Sequence, residues 1–125
     1  ENIEPNPLET QILSSEFISQ VQLIGQDRKN LTALIVPNLE LVKSKFSESD
    51  LKKMNQNKRM KDFFKLIIND LLKKRVGART EEQIVDCFFV NPFSIDNGLL
   101  TQTLKQKRNQ IANLYQSEIE EMYKK

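Results

Sequence analysis

Met60, Phe63, Phe64, Ile67, Ile68, Leu71 and Leu72 recur at spacings of three and four residues, the period that stacks side chains on one face of an α-helix. Lys61, Asp62, Lys65 and Lys73 fall on the other faces. A stripe this wide must be buried against a second layer, so the rest of the chain has to supply one. Gly77 offers a stop beyond the helix. The second layer is predicted from a change of period. Phe17, Val21 and Leu23 share one parity while Gln20 and Gln22 hold the other, the signature of a half-buried strand over Phe17–Ile24. Turn-forming residues from Gly25 to Asn30 lead into the apolar run Leu31–Val36, which Pro37 ends, and together these predict an antiparallel hairpin. A third strand is predicted from Ile84 to Val90, apolar except for Asp86 near its start and closed by Pro92. Buried on both faces, it suits the centre of a small sheet.

Two further helices complete the pattern. Asn6 can cap, Pro7 tolerates a first helical position and Glu9 stands where a capping-box acid returns to the cap, so a short helix is predicted from Pro7 to about Ser15, with Leu8 and Ile12 on one face. Ile111, Leu114, Tyr115, Ile119 and Met122 line one side of a C-terminal amphipathic helix. The fold class is α+β: a small antiparallel or mixed sheet of about three strands packed with amphipathic helices. The 125 residues contain no repeat, low-complexity tract or Gly/Ser linker, which predicts a single domain over 1–125.

Composition narrows the chemistry. With no His and one Cys there is no imidazole base, no internal disulfide and no cysteine zinc cluster, and no metal site is predicted. Cys87 sits in an apolar strand, where a thiol packs as a small hydrophobe. Glu81/Glu82 and Glu120/Glu121 are sequence neighbours, which do not face each other on a helix. Neither a Walker A loop nor a dinucleotide fingerprint is present. No apolar run approaches the ~20 residues that span a bilayer, and Glu1–Glu9 lacks the features of a signal peptide. The net charge of +2 conceals twelve basic residues against four acids between Lys43 and Arg79, a local excess of +8. Such a stretch suggests either an anionic partner or the solvated face of an amphipathic helix. A nucleic-acid-binding module is disfavoured, because Phe63 and Phe64 lie on the apolar stripe and leave no stacking platform among the basic side chains.

One segment is unexplained by packing. After the third strand comes Pro92-Phe93-Ser94-Ile95-Asp96-Asn97-Gly98-Leu99-Leu100-Thr101-Gln102-Thr103-Leu104-Lys105-Gln106-Lys107-Arg108, where Asn97-Gly98 signals a turn and Lys105 sits in a loop leading to the last helix. Such a lysine can offer a mobile point charge to a phosphate or carboxylate. The run Asn97 to Arg108 resembles the N-G-L-L-T-x-T-x-K-x-K-R motif of the long-chain fatty acyl-CoA synthetases, a branch of the adenylate-forming superfamily. Leu104 stands where the broader superfamily has glycine, as is typical of the long-chain branch. Glu1 to Glu9 is similar to the segment that opens the small C-terminal domain of those ligases. Gly25–Pro37 resembles their G-x-x-R/K…L-x-A-L-I-V-P hairpin, and Glu82-Gln83-Ile84 their E-Q-I before a strand.

The resemblance implies a mobile C-terminal domain that begins a step after an interdomain hinge, with the large N-terminal adenylation domain absent from this chain. It implies a ligase that joins a fatty acid and Mg·ATP into acyl-adenylate and then transfers the acyl group to coenzyme A. Lys105 falls on the catalytic lysine, Gly98, Thr101, Thr103 and Arg108 on supporting positions of the motif, and Glu1, Asn2 and Ile3 on the thiol-acceptor channel. ATP and Mg would be bound mainly by the missing domain, and the isolated fragment would be inactive. The nearest alternative is an acyl-acyl carrier protein synthetase, for which the positive face around Lys52 to Arg75 would suit an acidic carrier. The expected location is the cytoplasm, with peripheral membrane association of the full-length protein left open.

Overall fold

Leu31–Pro37 (β2) is the middle strand of a three-stranded sheet in the computed structural model, which describes residues 6–25, 28–79 and 82–124. Ile18–Ile24 (β1) pairs with it antiparallel, setting Val21 opposite Ile35 and Leu23 opposite Ala33. Ile84–Phe89 (β3) pairs parallel on its other side, with Ala33 opposite Cys87 and Leu34 opposite Phe88. Parallel neighbours need a long crossover. Here it contains the helix predicted from the apolar stripe, Lys58–Lys73 (α4), capped where the Asn57 side chain accepts the Met60 N–H at 3.1 Å.

Alternation along β2 divides the interior in two. Ala33 and Ile35 join Val21, Leu23, Cys87 and Phe89 against α4, whose Met60, Phe64, Ile68 and Leu72 are fully buried. Phe63 and Phe64 lie edge-on to one another with centroids 5.3 Å apart, and Phe17, Phe46 and Phe89 extend the cluster. Edge-on stacking places each ring's positive rim against a negative face. Pro7–Ile12 (α1) covers the same face and is tied to α4 by Gln11 Nε2, which donates to Leu71 O at 3.3 Å. Leu34 and Val36 point the other way, into a second core with Val90, Phe93, Leu99, Leu100, Ile111, Ile119 and Met122.

Several expectations are corrected. The third strand is an edge strand and not the centre, because β2 takes the middle, and Val85, skipped where the register shifts between Ile84 and Asp86, is 48% exposed. Its outer backbone is closed by two asparagines. Asn55 and Asn69 each accept one N–H and donate to one carbonyl, at Phe89 and Ile84 respectively. The first helix ends at Ile12, short of Ser15. The C-terminal helix is two, Arg108–Leu114 (α5) and Gln116–Met122 (α6), broken at Tyr115, and Leu114 is turned out to solvent. Between β2 and α4 lie Leu39–Val42 (α2), Glu48–Lys52 (α3) and a 3₁₀ turn at Met54–Gln56, all too short to display a period. Gly77 is not the residue that ends α4, which closes at Lys73 with Lys74 as its C-cap; its left-handed φ of +78° serves the following turn, where the Ala78 N–H donates to Arg75 O at 3.2 Å.

Candidate functional site

The segment between β3 and α5 is built as two successive turns. In the first, Asn97 Nδ2 donates to Pro92 O at 2.9 Å while its Oδ1 accepts the N–H groups of Ser94 and Leu99, and Ser94 Oγ accepts the Asn97 N–H. Gly98 follows at φ +81°, a region where a Cβ is penalised. Leu99 and Leu100, 8% and 9% exposed, then sink into the second core and hold the turn down.

The second turn is a hairpin. The Lys107 N–H donates to Leu99 O at 2.9 Å, Leu100 bridges to Gln106, and the Thr101 N–H donates to Lys105 O at 2.8 Å. The tip closes where the Leu104 N–H donates to Thr101 O at 2.8 Å and Thr101 Oγ1 accepts the Lys105 N–H at 3.1 Å; Thr103 Oγ1 lies 3.2 Å from that hydroxyl. Lys105 is therefore on a hydrogen-bonded tip, three residues before the helix, and not in a loose approach to it. Its side chain is exposed, and its ammonium has no hydrogen-bond or ion-pair partner among the described residues. Leu104, its neighbour, has φ +66° and is 66% exposed. It is the one non-glycine residue at positive φ among those described, a conformation that costs an L-residue roughly 1–2 kcal/mol.

The base of the hairpin is bolted to β1. Gln106 Nε2 donates to Val21 O at 2.8 Å, and the Gln20 amide makes a reciprocal pair with the Phe93 backbone. Gln22 Nε2 donates to Arg108 O at 3.3 Å, leaving its Oε1 buried without a partner. Arg108 forms a fork with Glu9: Nη1 to Oε1 at 2.9 Å and Nη2 to Oε2 at 2.7 Å. Glu9 is 6% exposed, and its Oε2 also accepts the Leu23 N–H at 2.7 Å. The expectation of a capping box at Glu9 is thus corrected, because a buried carboxylate gains more from a bidentate guanidinium than from its own helix's cap. Planar forks of this kind fix orientation as well as distance.

Gly98, Thr101, Thr103, Lys105 and Arg108 are thereby brought into one small structure, with the threonines and Arg108 shaping and bracing it around the lysine. Glu1, Asn2 and Ile3 lie outside the described residues. Glu9, Gln20, Gln22 and Gln106 escaped the sequence reading as parts of the site, because glutamines on the polar parity of a strand read as solvated. Elsewhere, the basic stretch is laced with ion pairs, among them Lys58–Asp62 at 2.7 Å, Lys74–Asp70 at 3.2 Å and Arg75–Glu82 at 2.8 Å. Cys87 is fully buried, and burial pushes its thiol up to about 12. Among the described residues no group of three or more His, Cys, Asp or Glu side chains is disposed to hold a metal, and no helix is long and apolar enough to cross a membrane.

A three-stranded mixed sheet with a braced, exposed lysine hairpin between its last strand and last helices defines a small α+β domain that offers a positioned cation. The chain belongs to the AMP-binding enzyme C-terminal domain family, whose profile matches residues 1–125. It is 34% identical to a probable acyl-activating enzyme 16, chloroplastic, of Arabidopsis thaliana over 99% of this chain and 17% of that protein. It is 33% identical both to a chloroplastic long-chain-fatty-acid–[acyl-carrier-protein] ligase of the same plant, over 98% of this chain and 16% of that one, and to the human long-chain-fatty-acid–CoA ligase 1, over 98% and 18%. The fold recurs in the A domain of a carboxylic acid reductase from Segniliparus rugosus, solved with AMP and a co-purified carboxylic acid. The TM-score there is 0.73 over 93% of this chain and 17% of that one, at 23% identity. The chain thus spans about a sixth of the length of these relatives, and the family resemblance read from Asn97–Arg108 and Glu1–Glu9 holds over its whole length.

Proposed function

We propose that this chain is the mobile C-terminal domain of a long-chain fatty acid–CoA ligase and that Lys105 is its catalytic residue. The observation that carries the reading is the Lys105 hairpin: an ammonium without a partner among the described residues, held at an exposed tip whose base is pinned to β1 and α1. In the first half-reaction a fatty-acid carboxylate oxygen attacks the α-phosphorus of ATP, pyrophosphate leaves, and an acyl-adenylate forms. Two anions must approach one another for this to happen. A cation held in place between them interacts more strongly with the crowded transition state than with the separated reactants. In the second, a thiol attacks the acyl carbonyl carbon and AMP leaves. Lys105 has no role there, and the domain turns away about its hinge to present the segment around Glu1, Asn2 and Ile3 to the thiol. The large N-terminal domain supplies the sites for the acyl chain, ATP and its Mg; a cytoplasmic location belongs to the same proposal.

An acyl carrier protein as acceptor is the second reading. It is favoured by a relative named as an acyl-carrier-protein ligase at the same 33% identity as the human CoA ligase, and weakened by the ion pairs that cross the positive face. Lys105→Ala in the full-length enzyme tests the main assignment. Acyl-adenylate formation is expected to fall about 10²–10³-fold, by analogy with a lost oxyanion donor, while thioester formation from supplied acyl-adenylate stays near its original rate. Equal loss in both steps would sink it. Coenzyme A and carrier protein compared as acceptors separate the two readings.

A further inference from the structure

Leu104 is awkward twice over within this domain. Its backbone sits at φ +66°, where a Cβ is penalised, and its side chain is 66% exposed. A leucine gains nothing from that arrangement unless something outside the domain covers it, since asparagine or glycine would hold the same turn with less strain. The turn itself does not need the side chain: the closing bonds run from the Leu104 N–H to Thr101 O and from the Lys105 N–H to Thr101 Oγ1. Leu104 belongs to neither buried core. Its position narrows what it can meet. It precedes Lys105 directly, so its Cα lies ~3.8 Å from that of the lysine, and a tip that carries the Lys105 ammonium into an enclosed site carries this exposed leucine in with it.

We propose that Leu104 is a positioning residue, an apolar anchor that docks on the protein's own N-terminal adenylation domain when the Lys105 hairpin enters the active site. The contact exists in the adenylating arrangement and is released when the domain turns away. The left-handed backbone leaves the side chain exposed at the tip, and the buried contact offsets the strain. The inference rests on the assignment of Lys105 made above.

The test uses the full-length enzyme and measures both half-reactions. Leu104→Asn keeps a residue at ease in the left-handed region but removes the apolar anchor, Leu104→Gly removes anchor and strain together, and Leu104→Met restores apolar bulk. Asn and Gly variants are expected to slow acyl-adenylate formation about tenfold, the size of effect from losing part of a leucine's burial. Thioester formation from supplied acyl-adenylate should stay unchanged, the thermal midpoint should not fall because both variants relieve the left-handed strain, and Met should recover most of the adenylation rate. Wild-type adenylation in both the Asn and Gly variants would overturn the proposal, as would equal loss in both half-reactions. Lys105→Ala in parallel separates the two ideas. If it blocks adenylation while the Leu104 variants do not, only the anchor fails; if it leaves adenylation intact, the parent assignment and the anchor fall together.

Discussion

Arg108→Met removes one half of the fork that joins the Lys105 hairpin to α1. The methionine keeps an unbranched apolar stem, so the perturbation is chiefly the loss of the guanidinium. Glu9 is then left with the Leu23 N–H as its remaining hydrogen bond, its side chain 8% exposed beneath the space the guanidinium held. A fully buried carboxylate stripped of its partner costs ~3–5 kcal/mol. Here Arg108 itself is 39% exposed, so water can follow into the gap. The loss is therefore nearer the ~1.5–3 kcal/mol of hydrogen bonds to a charged group, and about 2 kcal/mol is the working figure. For a chain of 125 residues, that corresponds to a fall in thermal midpoint of about 8 °C. Urea unfolding of this chain followed by circular dichroism measures it, with Glu9→Gln and the double variant closing a cycle. A coupling of at least ~1 kcal/mol between the two sites is expected, with the urea slope unchanged. Additive single effects, or a loss below ~0.5 kcal/mol for Arg108→Met, would refute the claim that the fork braces the hairpin.

Gly98→Ala places a Cβ where nothing lies within 4 Å, so its cost is the left-handed backbone alone, ~1 kcal/mol or about 4 °C in thermal midpoint; a drop much beyond that would mean the loop is crowded after all. Asn55→Ala leaves the Phe89 N–H and carbonyl without their side-chain partner, and is expected to lower stability by ~1–3 kcal/mol and to speed amide exchange at Phe89. Cys87 is fully buried with its thiol raised from 9.0 to about 12, so native protein should react with thiol reagents at pH 8 only through unfolding. The sign of the linked stability effect follows: above pH 9 the unfolded thiol loses its proton while the folded one keeps it, so stability falls between pH 9 and about 12, by up to ~1.4 kcal/mol per pH unit from this group. Comparing the pH dependence of unfolding with that of Cys87→Ala isolates the effect, and identical slopes would contradict it.

The amphipathic stripe of α4 was legible because it repeats over four turns and admits one period. The β1–β2 hairpin was legible from alternation and a turn between two apolar runs. Periodicity describes a segment and not its neighbours, however, so the almost continuous apolar run of β3 read as central when α4 and the asparagines of its outer edge account for its burial. The break at Tyr115 carries no Gly or Pro to announce it. At the site, Asn97-Gly98 declared its turn and Lys105 its motif, whereas the pins did not declare themselves. A glutamine at a polar strand position looks solvated until another segment lies over it, and Glu9 was assigned to the nearest available N–H when its partner is 99 residues away. Tertiary polar contacts of that range leave no local pattern.

That separation also bears on how the domain assembles. The β1–β2 pairing is local and can form early, but the Glu9–Arg108 fork closes almost the whole chain into a loop. Closing so long a loop costs more chain entropy than the local pairing, which favours its formation after the sheet. The Lys105 hairpin is thus among the last parts to dock and the first able to detach in a partial opening that leaves α4 and the sheet intact. In kinetic terms, contacts at its base should be nearly unformed in the folding transition state, so substitutions there would hasten unfolding and leave the folding rate almost untouched.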